Sequence, residues 1–193
     1  MIARHEHITP GPAEALAAEF REHFPALATA RLKLRAVHIT DFDAFAEIVC
    51  GDRGKHIGGP MSRDDAWYDF ASMSSGWMLH GHGGWSVEDV ADGNLLGFVV
   101  LGLEPGDLDV ELGFLFRETA EGKGYAFEAA TVVRDWAFQE LKLSTLASYV
   151  DDANTRSKSL AERLGGKRDK KAEAEIGDTQ MCVFRHSQSE GTA

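Results

Sequence analysis

Between Trp85 and Leu141 the spacing of apolar residues changes once, and a pair of glycines marks the place. As far as Phe116, apolar side chains recur at every second position. Trp85–Val90, Leu95–Leu103 and Leu108–Phe116 therefore read as three strands. Asp92-Gly93-Asn94 joins the first two as a tight hairpin. In the third, Val110, Leu112, Phe114 and Phe116 share one face, while Asp109, Glu111 and Gly113 share the other. From Gly122 to Leu141 the period lengthens to that of a helix. Its buried stripe is Ala126, Ala130, Val133, Ala137 and Leu141, opposite Glu128, Thr131, Asp135 and Gln139. Strands that feed a long helix through a glycine turn imply a mixed sheet covered by helices.

The flanking segments extend this pattern. Pro12 suits the first turn of a helix that carries Ala13, Leu16, Ala17, Phe20 and Phe24 on one side and stops at Pro25. Arg31–Val37 alternates as a strand, Asp41–Val49 reads as a helix, and the glycines of Asp52–Met61 predict a loop. Ser62-Arg63-Asp64-Asp65 is a capping box for a helix with Trp67, Phe70, Ala71 and Trp77 on its apolar face. Thr145–Val150 predicts a strand and Ala153–Leu164 a helix capped by Gly165, with final strands within Lys167–Ile176 and Gln180–His186. The expected organisation is a helical arm at 1–30, one domain at 31–186 and a flexible polar tail at 187–193.

Charge and composition exclude several classes. A formal net charge of −11 argues against a nucleic-acid binder, which carries a basic footprint. No apolar run approaches the ~18 residues of a membrane span, and the first ten residues lack the apolar core of a leader, so a cytoplasmic protein is expected. Cys50 and Cys182 are far apart in apolar runs and read as reduced, buried thiols. His80 and His82 form a pair without a nearby third ligand, and no metal site is expected.

The segment with the most chemistry is Glu121-Gly122-Lys123-Gly124-Tyr125-Ala126. Two glycines two residues apart bring backbone N–H groups close to a ligand, and the helix that follows adds partial positive charge at its start. Such a turn suits a pyrophosphate, or is simply a turn. A P-loop would need Ser or Thr after a Gly-Lys pair, and a dinucleotide fingerprint would need a glycine where Phe127 stands.

Several ordered blocks then converge. ELGFLF before GKGYAFEAA, followed by WAFQELKLSTLASYVDDAN and NTRSKSLAERLGG, resembles the GNAT acetyltransferases in their RimJ/RimL-like branch. The first strand, TARLKLR, is similar to that branch as well. The resemblance spans about Thr29 to Phe184 and implies a mixed α/β sheet, splayed open, with helices on both faces. It implies acetyl-CoA as cosubstrate, no metal, and direct transfer of acetyl to an amine acceptor. Glu121, Gly122, Lys123, Gly124, Tyr125 and Ala126 would take the pyrophosphate, while backbone at Phe114 and Phe116 would pair with pantetheine. Asn154 would touch the pantetheine end, or be an ordinary helix cap. Ser157 would protonate the leaving thiolate, or be an ordinary first-turn residue. Glu111 is the carboxylate expected to act as general base, with Asp109 next on the same face.

The sequence departs from the family's pattern at Glu118, Thr119 and Glu121, which put two carboxylates near an anionic cofactor. These departures motivate a second reading, an acyl-CoA-binding regulatory or scaffolding module without turnover. The arm's apolar face suits either its own domain or a homodimer.

Overall fold

The computed structural model describes residues 3–188. Helix α1 (Pro12–Glu22) leads to β1 (Leu27–Ala28) and β2 (Leu32–Ala36), then to α2 (Phe42–Val49) and α3 (Arg63–His80). The strands β3 (Gly84–Asp89), β4 (Leu95–Gly102) and β5 (Glu111–Phe116) follow, then α4 (Tyr125–Gln139) and β6 (Thr145–Asp151). The chain ends with α5 (Thr155–Arg163), β7 (Lys167–Arg168), α6 (Lys170–Ile176) and β8 (Met181–Ser187).

The strands form one sheet in the order β1-β2-β3-β4-β5-β6-β8-β7. Every neighbouring pair is antiparallel except β5 and β6. That parallel pair has a single register match, Glu111 opposite Ala147, and the two strands then part. Alternation along the strands separates two cores. Leu34, Trp85, Val99 and Leu112 point to α4, where Ala130 and Val133 meet them. Phe98, Val100 and Leu115 point to the opposite face, against Phe45 of α2 and Phe70 of α3.

Local signals explain most boundaries. Ser62 caps α3 by accepting from the Asp65 N–H at 3.1 Å. The buried stripe of α3 is Ala66, Phe70, Met73 and Trp77, whereas Trp67 is half-buried and Ala71 exposed. Steps of four, three and four keep the buried set on a narrow helical face, from which Ala71 turns away. In α4, Ala129 and Phe138 join the buried set, and Ala126 is only half-buried. The loop expected at Asp52–Met61 opens with a 3₁₀ turn over Asp52–His56.

Three expectations are corrected. The helix begins at Tyr125 and not at Gly122, because Gly122 and Gly124 hold φ of 73° and 80°. The third strand begins at Glu111 and not at Leu108. The N–H groups of Leu108 and Asp109 instead donate to the Tyr149 hydroxyl, at 2.9 and 3.1 Å. The strand expected within Lys167–Ile176 is only the two residues of β7, and the rest of that segment is the helix α6. Asp169 caps α6 by accepting from the N–H groups of Lys171 and Ala172, and Gly177 ends it at φ 76°.

The arm attaches near both of its ends, and at its start Glu6 accepts from Arg63 Nε at 2.7 Å. Phe24 stacks on Trp77 with centroids 5.4 Å apart, and Trp85 Nε1 donates to the Pro25 carbonyl at 2.7 Å. Leu16 and Phe20 stay more than half exposed. Of the expected tail, Ser187 closes β8, Gln188 is exposed, and 189–193 lie outside the described residues. Cys182 is buried and Cys50 half-buried, both as free thiols. Among the described residues no helix is long and apolar enough to cross a membrane.

Candidate active site

Where β5 and β6 part, a groove of about 800 Å³ opens between them. Its vertex is stitched twice: the Ala147 N–H donates to the Val110 carbonyl at 3.0 Å, and Ser148 Oγ donates to the Leu112 carbonyl at 2.8 Å. Ser148 Oγ also lies 3.1 Å from Nε2 of the buried His186. Burial, and then the nearby Arg134 charge, hold that imidazole down at about 4.

One edge of β5 is left for a ligand. Main-chain groups alternate in direction along a strand. Val110, Leu112 and Phe116 present their carbonyls to the groove side, to Ala147, Ser148 and Arg53, while the Arg117 N–H turns back to Leu96 of β4. The N–H and carbonyl of Phe114, and the N–H of Phe116, therefore face the gap. This is the edge an extended chain such as pantetheine would need.

Beyond β5 the chain turns at Glu121–Gly124 into α4. Among the described residues, no hydrogen bond engages the N–H groups of Gly122 through Ala126. No heavy atom lies within 4 Å of where a Cβ on Gly122 would stand, so the turn is open on that side. The turn thus leaves these N–H groups free at the start of α4, where the helix carries partial positive charge. Arg31 braces it by donating to the Lys123 carbonyl at 3.0 Å and to Glu128 Oε2 at 2.8 Å, with its guanidinium 4.7 Å above the Tyr125 ring. Sequence reasoning missed this role of Arg31, which comes from a segment far away in the chain.

Asn154 and Ser157 line the groove from the β6 side. Asn154 Oδ1 accepts from the Ser157 N–H at 3.1 Å, so it does cap α5. Its amide nitrogen remains a donor. Glu121 is held differently from its expected role. Its carboxylate pairs with Arg53 at 2.6 Å and with Arg156.

At the vertex, Glu111 points from the α2/α3 face of the sheet. Burial is the main reason its carboxyl is pushed up to about 8, and the charges of Asp107 and Glu104 add to it. Burial likewise raises Asp69, and raises Glu104 with help from Asp69 and Asp107. Space is made by Gly113, where a Cβ would come within 2.7 Å of Val100 Cγ1 and 3.5 Å of Glu111 Cδ. Asp109 does not join this cluster: Arg185 holds it at 2.7 Å on the other side of β5's entry. His82 is buried with Nδ1 2.7 Å from the Leu101 carbonyl. Among the described residues no set of three or more His, Cys, Asp or Glu side chains is arranged to hold a metal ion.

Known proteins share this family and fold. A family model described as an acetyltransferase (GNAT) domain matches residues 31–167. The crystal structure of an acetyltransferase from Agrobacterium tumefaciens is 37% identical, with a TM-score of 0.80 over 85% of this chain and 95% of that one. YkkB of Bacillus subtilis is 33% identical over 85 residues, 42% of this chain and 48% of that protein. The chain thus spans about half the length of the curated relative it matches. The α-N-protein acetyltransferase RimL, in complex with coenzyme A, shares the fold at a TM-score of 0.67 and 14% identity, over 84% of this chain and 98% of that one.

Proposed function

This chain belongs to the GNAT acetyltransferase family, and on that footing we propose that it transfers the acetyl group of acetyl-CoA directly to an amine. Two features beside the parted strands support this reading: the open turn after β5 with its unpaired N–H groups, and Glu111 with its raised pKa in the lining of the groove. When bound, acetyl-CoA supplies an acyl group already activated as a thioester. The N–H groups of Gly122–Ala126 and the start of α4, flanked by Lys123 and Tyr125, hold its diphosphate. The gap-facing N–H groups of Phe114 and Phe116 pair with pantetheine and polarise the acetyl carbonyl.

Glu111 takes the proton that the amine must lose. Once ionised, a carboxyl near 8 is a stronger base than an ordinary surface glutamate, and its ionised fraction grows as pH rises towards 8. Asp69, Glu104 and Asp107 favour an acceptor that arrives as a cation. The amide nitrogen of Asn154 contacts the pantetheine end, and the Ser157 hydroxyl gives a proton to the departing thiolate. Acceptors in scope are small-molecule amines and protein N-termini, the latter being the substrate type in RimL's name. The exposed Leu16 and Phe20 serve a homodimer contact.

The test is incubation with acetyl-CoA and a panel of amines, following free thiol release and product mass. Turnover with any amine supports the reading. Tight CoA binding without turnover would favour the non-catalytic acyl-CoA-binding module.

A further inference from the structure

The 3₁₀ turn Asp52–His56 crosses the open end of the gap and touches both of its walls. On the β5 side, Arg53 Nε donates to the Phe116 carbonyl at 3.0 Å, and its Nη1 lies 2.6 Å from Glu121 Oε1. On the β6 side, His56 Nδ1 lies 2.8 Å from Asp151 Oδ2. Arg156, in the first turn of α5, reaches the same Glu121 oxygen from the far wall. Two guanidiniums, both permanently charged, thus share one carboxylate directly beside the unpaired N–H groups of Gly122–Ala126. One positive charge is left over at the place where an anion is expected.

We propose that Arg53 and Arg156 are phosphate-binding residues for CoA, and that Glu121 stands in for that phosphate in the ligand-free protein. This rests on the acetyl-CoA reading of the gap. Phosphate groups carry more charge than Glu121 and offer several acceptor oxygens to a planar guanidinium. The pairs that must open are weak ones: the side chains of Arg53 and Glu121 are 32% and 34% exposed, and Arg156 is 76% exposed. The exchange also accounts for a carboxylate where an anionic cofactor passes. Glu121 offsets the repulsion between the two arginines until the phosphate arrives, and turns to solvent afterwards.

Calorimetry with CoA, 3′-dephospho-CoA and pantetheine tests this on wild type, Arg53→Gln, Arg156→Gln and Glu121→Gln, with Tm as the folding control. Each arginine variant should bind CoA about 10-fold or more weakly, as expected for losing a charged hydrogen bond, and bind pantetheine as wild type does. Glu121→Gln should bind CoA at least as tightly as wild type. A loss that persists with 3′-dephospho-CoA assigns the arginines to the diphosphate, and one that disappears assigns them to the 3′-phosphate; both support the proposal. Wild-type CoA affinity in both arginine variants would overturn it, as would a Glu121→Gln variant weakened like them, which would make the trio a structural clamp. A wild type that binds no CoA would instead remove the acetyl-CoA reading itself. Arg53→Lys, which keeps the charge, covers the case of a misfolded Arg53→Gln.

Discussion

The two ends of the gap are made in different ways. The end proposed for the cofactor is a short continuous piece of chain whose properties come from backbone: two glycines at positive φ, free N–H groups and the start of α4. The end proposed for the acceptor depends on side chains brought from α3, the loop before β5, and β5 itself, and its chemistry lies in how they alter one another. A site made of backbone tolerates changes around it and fails when its φ angles are denied. A site made of coupled side chains fails when one charge is changed.

The largest expected effect falls at the acceptor end. A lysine-type amine at pKa ~10.4 is only about one part in 2,500 neutral at pH 7, so a base aimed at it matters greatly. Glu111→Gln should lower kcat by at least ~10²-fold while CoA binding stays intact. Wild-type kcat/KM should rise with pH through about 8 as Glu111 ionises, whereas the variant should keep only the rise due to the amine's own loss of a proton and so recover part of its deficit at high pH. Less than a ~3-fold loss with a parallel pH profile would move the base elsewhere and blunt the contrast between the two ends.

Stability should follow the same group. Glu111 keeps its proton in the folded state up to about 8, whereas the unfolded chain releases it near 4.5. Its favourable contribution is complete below 4.5 and declines as pH rises towards 8, with a slope of up to about 1.4 kcal/mol per pH unit. Glu111→Gln should flatten that decline in urea titrations at pH 5 and pH 8. Equal pH dependence in the two proteins would mean that Glu111 is not desolvated.

At the cofactor end, Gly124 sits at φ 80°, where a β-branched residue is strained by at least about 1–2 kcal/mol. Gly124→Val should weaken CoA binding by ~10-fold or more in calorimetry, with a smaller change in Tm. Unchanged binding in a folded variant would show that the turn does not hold the diphosphate.

The smallest effect is expected outside the gap. Phe20→Asp lies on an exposed face, so folding should change by no more than ~0.5 kcal/mol. Light scattering should show a dimer becoming a monomer. A wild type that is already monomeric would remove the homodimer.

Much of the sheet was legible because each strand's alternation is a local property. Leu95–Gly102 and Thr145–Asp151 lie within a residue of their expected limits. The failures have physical causes. Leu108–Val110 alternates like a strand, but a tyrosine from β6 takes its N–H groups. Lys170–Ile176 lost its helix to an expectation of strand, although Asp169 and Gly177 were present as caps. In the site, the glycine turn and Glu111 were visible as residues. Arg53 was not, because it lies in a loop whose path to Phe116 depends on how α2 and α3 pack.

The sequence by itself determined the order of strands and helices, the glycine turn and the family to which they belong. These follow from periodicity and from φ angles that few residues accept. The tertiary structure alone decided where β5 and β6 part, which edge of β5 stays unpaired, and that Glu111 is half-buried among other carboxylates. It also decided that Glu121 faces two arginines. Hydrogen-bond direction, burial and charge proximity are set by residues far apart in the chain, and no local pattern encodes them.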